Sequence, residues 1–475
     1  MNTLHSHRLY LPYVLIWLSS PHGIYGQQER PAVPPNFVVI ITDNQRFDTI
    51  AALGNPVIKT PNLDRLVRGG TTFTRAVAYP LCTPSRTEML TGCSALRTGV
   101  FGFSERPPKE LAFWPAVMRD RGYQTWHIGK WHIVGAPSEY GYTDAGAMVR
   151  SGGPRTPPLY GRHGREITGY RNSVFSSNRP DVKLTQPVAI TADIDRYFAD
   201  SAIEVIERKP PQTFFLHVNF TAGHDPYLTP DGFQPAYDPE KIPLPPNFLP
   251  EHPFDHGNLR GRDELLLPWP RTAEMIREEL AYYYAELSYM DQQVGRIVSA
   301  LEKSDQLKNT IVIFASDHGR GLGSHGLVGY HCMYEHSISA PVIFYGQGIP
   351  AGVIRDAQCY LRDLFPTVCE LSSTQVPAAV EGRSLVPVLQ GQANEIYECV
   401  FGSFQQFSRM VRTDRWKYIY YPHLDKAQLF DLKSDPHEMH DLSHVPDHSQ
   451  IAADLRTRLL AWMRDNNDAV LIKDN

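Results

Sequence analysis

Four absences frame this sequence. Positive charge is not in excess: 46 Lys and Arg face 51 Asp and Glu, a formal net charge of −5. No global basic field therefore directs the chain to nucleic acid. No window offers about 18 consecutive apolar residues, which argues against a membrane-spanning helix. Six cysteines in 475 residues are too few for a disulfide scaffold. No internal period and no low-complexity tract is present, so solenoid and repeat architectures are excluded.

What remains is an ordinary globular composition, 42% apolar, 20% charged and 11% aromatic. The length allows one large domain and a smaller one. Proline (39) outnumbers glycine (34), which points to many long irregular connections. At the N-terminus His5, His7 and Arg8 precede Leu9 to Leu18, a run apolar apart from Pro12. Ser19, Ser20 and Gly26 follow. This order is that of a secretory signal peptide over residues 1–26, the other reading being a buried first helix. Export to the periplasm or medium is expected, and export permits disulfides. Among Cys82, Cys93, Cys332, Cys359, Cys369 and Cys399, at least one is then available for chemistry.

Apolar, β-branched or aromatic runs predict buried strands at Phe37 to Thr42, Gln124 to Ile128, Phe214 to Phe220, Thr310 to Ser316 and Pro341 to Tyr345. Helical spacing covers Ala112 to Arg121, stopped by Gly122, and Thr272 to Leu301, acidic early and basic late. Continuous apolar strands alternating with helices predict an α/β fold with a mainly parallel sheet between helices. Residues 150–183 (rich in Gly, Pro, Ser and Arg) and 225–270 (rich in Pro) predict irregular surface loops. Past about Gln390, Met410 to Tyr421 and Gln428 to Leu432 read as antiparallel strands, followed by a closing helix, Ile451 to Met463. The expected division is a catalytic domain over 27–390 and a small α+β subdomain over 391–475.

Ligands of open parallel sheets bind beyond the carboxyl ends of the strands. Four predicted strands run into chemically capable residues: Asp43-Asn44-Gln45, Gly129-Lys130-Trp131-His132, Thr221-Ala222-Gly223-His224 and Asp317-His318-Gly319. Asp43, Asn44, Asp317 and His318 offer oxygen ligands for a hard divalent cation, calcium or magnesium. The His also admits zinc or manganese. Lys130, His132 and His224 would surround such an ion with donors suited to a tetrahedral oxyanion. Cys82, two residues before Pro84, falls at a predicted helix N-terminus, where the dipole and Arg86 favour a thiolate nucleophile. A buried structural cysteine is the plainer alternative.

Cys82-Thr83-Pro84-Ser85-Arg86 with Leu90-Thr91-Gly92 resembles the signature of the type I sulfatases, in the alkaline phosphatase superfamily. Ile41 to Gln45, Thr60 to Leu66, Gly129 to His132, Ser316 to Gly319 and Arg412 to Tyr418 are similar to that family as well, so the resemblance spans nearly the whole chain. It implies an alkaline-phosphatase-like sheet and a C-terminal antiparallel subdomain. It also implies that a maturation enzyme oxidises Cys82 to formylglycine (3-oxoalanine). One hydroxyl of the hydrated aldehyde then attacks sulfur, and the other expels sulfate afterwards, which neither a thiol nor a serine can do. By the same resemblance Asp43, Asn44, residue 82, Asp317 and His318 ligate one calcium ion. Arg86, Lys130 and His132 flank the diol, and Lys130 and His224 hold the sulfate, with protonated His224 as general acid.

Two departures stand out. Asn44 replaces the usual Asp, removing one negative charge and implying weaker metal binding. Tyr330 replaces the usual sulfate-binding Lys, and a phenol carries no charge at neutral pH. His331 is the expected substitute, with a pKa near neutrality that would favour mildly acidic pH. The implied substrate is a sulfated small molecule or glycan. Phosphate or phosphonate ester hydrolysis on the same fold, or a weakened glycan-binding relative, are the alternatives. Residues 150–183 carry Arg150, Arg155, Arg162, Arg165, Arg171, Arg179 and Lys183 against Glu166 and Asp181, a local basic surface suited to polyanions. Trp131, Tyr227 and Trp269 are candidate faces for sugar rings, or core residues.

Overall fold

The computed structural model describes Met1 and residues 34–153, 157–158, 160, 166, 168–177 and 190–472. The predicted signal segment therefore lies outside the described residues, apart from Met1.

Ten strands build the main sheet: β1 (Asn36–Thr42), β2 (Gly70–Val77), β3 (Gln124–Trp131), β4 (Asp144–Ser151), β5 (Ser173–Ser176), β6 (Phe214–Asn219), β7 (Thr310–Ser316), β8 (Ser339–Gly346), β9 (Val353–Arg355) and β10 (Cys359–Tyr360). Their order is β10-β2-β8-β7-β1-β6-β3-β4-β5, with β9 pairing β2. The centre, β7-β1-β6-β3-β4, is parallel throughout, while β8 and β5 run antiparallel to their neighbours.

Both faces of the centre are covered, which explains the unbroken apolar runs. In β1, Val38 and Ile40 join one core with Leu216, Val218 and the helices Ile194–Glu207 and Ala273–Lys303. Phe37, Val39 and Ile41 face the opposite core with Phe215, Ile313 and the helices Trp114–Asp120 and Leu364–Leu371. Each such side chain contributes about 1.5–3 kcal/mol on burial. The long helix begins where Thr272 accepts the Met275 N–H at 3.3 Å, an N-cap, and it ends at Lys303.

Some expectations need correction. Strand β3 continues to Trp131, so Lys130 sits within the strand rather than after it. The stretch 150–183 is not wholly irregular: Ser173–Ser176 pairs antiparallel with β4, and Phe175 buries its ring against Phe198. Residues 225–270 do lack long regular elements, holding the short turns Pro239–Lys241 and Glu264–Leu266 among the described residues.

The C-terminal segment forms a four-stranded antiparallel sheet, β11 (Val400–Phe404), β12 (Ser408–Arg412), β13 (Trp416–Tyr421) and β14 (Lys426–Asp431). The helix Ser449–Asp465 lays Leu455, Leu459 and Met463, one turn apart, on Val411, Tyr418 and Leu429. A further apolar cluster, including Tyr330, Met333 and Tyr334 with Met410, Ile419 and Phe430, joins this sheet to the main body.

Candidate active site

Register explains how distant residues meet. Thr42 on β1 pairs with Ser316 on β7, so Asp43-Asn44 and Asp317-His318 leave adjacent strands side by side. The Asn44 N–H donates to Asp317 Oδ1 at 3.0 Å, and the Asp317 N–H donates to the Thr42 carbonyl at 3.1 Å. Asn44 adopts a left-handed φ of 57°, which Asn tolerates better than most residues. Gly129 has φ of 93°, and a Cβ there would stand 1.8 Å from the Asn219 carbonyl oxygen, so glycine is required just before Lys130.

Cys82 opens the helix Cys82–Thr91, which is buried on every side and closed by Gly92 at φ 68°. Ser85 Oγ donates to the Asp317 carbonyl at 2.6 Å, tying the first turn to the end of β7. Cys82 Sγ lies 3.2 Å from Asp43 Oδ1, 3.2 Å from His318 Nε2 and 3.7 Å from Asn44 Oδ1. One ligand atom each from Asp43, Cys82, Asp317 and His318 falls within 4.8 Å of the others. The His318 Nδ1–H donates to the Gly319 carbonyl at 2.9 Å, which leaves the Nε2 lone pair facing the cluster.

Cations enclose these acids. Arg86 Nε donates to Asp317 Oδ2 at 3.0 Å and its Nη1 to Asn219 Oδ1 at 2.6 Å. Lys130 Nζ donates to Asp43 Oδ2, and the Tyr170 hydroxyl donates to the same oxygen at 2.7 Å. Burial alone would raise the Asp43 carboxyl, but Lys130, His224 and Arg86 hold it well below the usual range. The Cys82 thiol moves the other way: burial and the Asp43 charge push it well up, against the pull of Lys130. The expected resting thiolate is thus corrected, because burial, with the Asp43 and Asp317 charges, outweighs Lys130 and Arg86.

This donor set fits a hard divalent cation. Two carboxylates, an amide oxygen and an imidazole nitrogen converge in a fully buried position, where mutual repulsion calls for positive charge. Among the described residues the buried Asn44 Nδ2 has no hydrogen-bond partner, consistent with an amide oriented for its oxygen.

Above the cluster opens a cavity of about 640 Å³, walled by Lys130, His132, His224, Tyr330 and His331 among others. The His224 Nδ1–H donates to the Asp225 carbonyl at 2.7 Å. Burial, aided by Lys130 and Arg262, lowers its pKa against the pull of Asp225 and Asp43, so a standing imidazolium at His224 is not the resting state. His132 stacks on Phe103 at 5.0 Å between centroids, and burial with Lys130 keeps it neutral as well. Tyr330 lies between the rings of His318 (4.4 Å) and His331 (4.3 Å). Its phenol is pushed well up by burial and by Asp263. His331 does not replace the missing ammonium: burial lowers it to about 4 despite nearby Asp263, so it is neutral at physiological pH.

Other expectations resolve variously. Tyr227 packs in the core on Tyr283, Trp131 lines the cavity, and the Arg271 guanidinium lies over Trp269 at 3.9 Å. Of the basic stretch, Arg171 pairs with Glu166 and Arg150 lines the cavity. Arg155, Arg162, Arg165, Arg179 and Lys183 lie outside the described residues. All six cysteines are free thiols. Sequence reasoning missed Tyr170, Asn219 and Arg262. Asn219 alone left a signal, as a polar residue within an apolar strand.

The family model described as Sulfatase matches residues 35–374, and that described as N-sulphoglucosamine sulphohydrolase, C-terminal, matches 323–465. A sulfatase of Formosa agariphila is 28% identical over 428 residues, covering 87% of this chain and 83% of that protein. A structure of a protein bound to its substrate D-glucosamine-2-N,6-O-disulfate aligns with a TM-score of 0.71 at 22% identity, over 92% of this chain and 99% of that one. A phosphonate monoester hydrolase from Silicibacter pomeroyi aligns with a TM-score of 0.74 at 21% identity, over 92% and 96%. Such distant structural likenesses speak for the fold, whereas the family model spans well over half of the sequence. The chain belongs to the sulfatase family and is a sulfuric ester hydrolase.

Proposed function

We propose that this protein hydrolyses sulfate esters of a sulfated carbohydrate, with formylglycine derived from Cys82 and one calcium ion held by Asp43, Asn44, residue 82, Asp317 and His318. The observation that carries this reading is the approach of one thiol, two carboxylates and one imidazole to within 4.8 Å, beneath the cavity that Lys130 lines. Held by these residues, the ion would offset negative charge on the ester, and the oxidised residue 82 would supply the attacking oxygen. Magnesium is the other hard cation that suits these ligands.

The protein's own groups bind and orient. Lys130 and His224 take sulfate oxygens, and Lys130 exchanges part of its hold on Asp43 for the substrate. Arg86, anchored to Asp317 and Asn219, fixes residue 82 and stabilises an ionised oxygen there. His132 stands beside it. Tyr330 and His331 line the wall as neutral groups able to hydrogen-bond the sugar or the ester. His224 rests neutral, and the incoming sulfate favours its imidazolium. A proton gained at Nε2 then goes to the leaving alcohol oxygen. The carbohydrate class finds support in the fold relative bound to a disulfated glucosamine.

The same reading takes residues 1–26 as an export signal, with maturation by a formylglycine-generating enzyme. It takes 27–390 as the catalytic domain and 391–475 as the C-terminal subdomain. No helix among the described residues is long and apolar enough to cross a membrane.

Peptide mass spectrometry over residue 82, with parallel assays of aryl sulfate, aryl phosphate and aryl phosphonate, tests it. Formylglycine is about 18 Da lighter than cysteine. That mass together with preferred sulfate turnover is expected. A persistent thiol in protein from its native host, or faster phosphate or phosphonate turnover, overturns the reading.

A further inference from the structure

We infer that Arg150 and Phe103 form a second anion subsite, so that the substrate is a sugar chain carrying a negative group beyond the sulfate that is cleaved. The inference rests on the proposed sulfatase reading and narrows its substrate to polyanionic oligosaccharides.

Arg150 stands near the end of β4, paired with Trp131 across the parallel ladder, one residue beyond the pair Lys130 and Val149. This places its backbone on the strand next to the one that carries Lys130, the two strands lying about 4.8 Å apart. Its side chain is exposed and lines two cavities, the active-site cavity and a neighbour of about 740 Å³. Phe103, Trp131, His132 and Ser151 wall both as well, so the two spaces meet at a common boundary.

Charge distinguishes Arg150 from its neighbours. Arg262, also on the active-site cavity, is held by Asp225, Asp263 and Thr168. Glu139, on the second cavity, is taken by Arg106 at 2.6 Å. Arg150 has no carboxylate within ion-pair distance among the described residues, so among these residues the junction of the cavities carries a positive charge that no ion pair offsets. Such charge at a cleft attracts anions.

Phe103 supplies the second half. It is 53% exposed although its ring stacks on His132, which places a large aromatic face at the same junction. An aromatic face accepts the apolar face of a sugar ring. Cation and ring together suit a ring bearing a carboxylate or a second sulfate, one unit away from the ester under attack.

The test is equilibrium binding to the Cys82→Ala protein of two sulfated disaccharides, one with and one without an additional carboxylate or sulfate. Kinetics of the unsubstituted enzyme and of its Arg150 and Phe103 variants run alongside. Arg150→Gln is expected to weaken the dianionic ligand about fivefold and the monoanionic one far less, with Arg150→Lys recovering part. The difference should shrink at high salt, and in turnover it should appear in KM rather than kcat. Phe103→Ala should weaken both disaccharides. Equal loss for both ligands on Arg150→Gln, or no loss for either, overturns the inference. Failure of the unsubstituted enzyme to cleave any sulfate ester would instead strike the sulfatase reading, and the binding contrast would still be read separately.

Discussion

Two buried clusters of charge invite comparison. One lies at the cavity floor. The other lies under the C-terminal sheet, where Glu335 accepts from Arg412 Nη1 at 2.9 and 2.7 Å and from Lys417 at 3.0 Å. Lys417 also reaches Glu438 at 2.6 Å, and Glu438 accepts the Glu335 N–H at 2.7 Å. Arg412 spends its remaining donors on Gln358 and the Arg75 carbonyl. Burial would raise the Glu335 carboxyl, yet Arg412 and Lys417 hold it well below its usual value. This second cluster pairs two acids with two cations. The active-site cluster also sets two cations, Lys130 and Arg86, against its two acids, but it adds a thiol and, among the described residues, leaves buried donors on Asn44 and Asn219 without partners. A cluster built for stability closes on itself, whereas one built for ligands stays incomplete until they arrive.

Breaking each cluster should therefore have opposite consequences. Cys82→Ala is expected to cut turnover by on the order of 10⁴-fold or more while leaving the thermal midpoint near that of the parent. Activity within tenfold of the parent would remove Cys82 from the chemistry. Arg412→Met leaves Glu335 with one cation fewer and should cost about 3–5 kcal/mol, read as a lower midpoint with kcat of the folded fraction retained. An unchanged midpoint would deny the seam its structural role.

The incomplete cluster can also be sharpened. Asn44→Asp restores a charged oxygen beside Asp43, so calcium should bind about tenfold tighter by calorimetric titration, while the chelated protein loses stability. Unchanged affinity would place Asn44 outside the ligand set. A separate effect concerns acid. Burial lowers His252 and His325 to about 4 and His256 to about 3, all beside the C-terminal seam. In the unfolded chain these rings titrate near 6.5, so unfolding takes up protons between those values. Stability present above pH 6.5 is then lost as pH falls toward 4. A midpoint equal at pH 7 and pH 5 would contradict this.

Much of the metal cluster was legible in the sequence, because apolar runs give way to Asp43 and Asp317 and to the polar stretches that hold Lys130 and His224. The sheet was less so. Gly70–Val77 and Asp144–Ser151 lack continuous apolar runs and become strands because β8 and β3 supply ladder partners. Tyr170 and Arg262 arrive from loops without periodicity, so their positions depend on tertiary contacts alone. The neutrality of His331 follows from burial between Tyr330 and the C-terminal sheet, a property of packing that adjacent residues do not encode.

The side-by-side exit of β1 and β7 has a kinetic consequence. Asn44 and Asp317 are separated by 273 residues along the chain. A refolding polypeptide must close that long loop before the carboxylates meet, an entropic barrier that precedes any reward from contact. Recovered turnover after dilution from denaturant therefore reports completion of the whole central sheet, and early helical signal should return well before it.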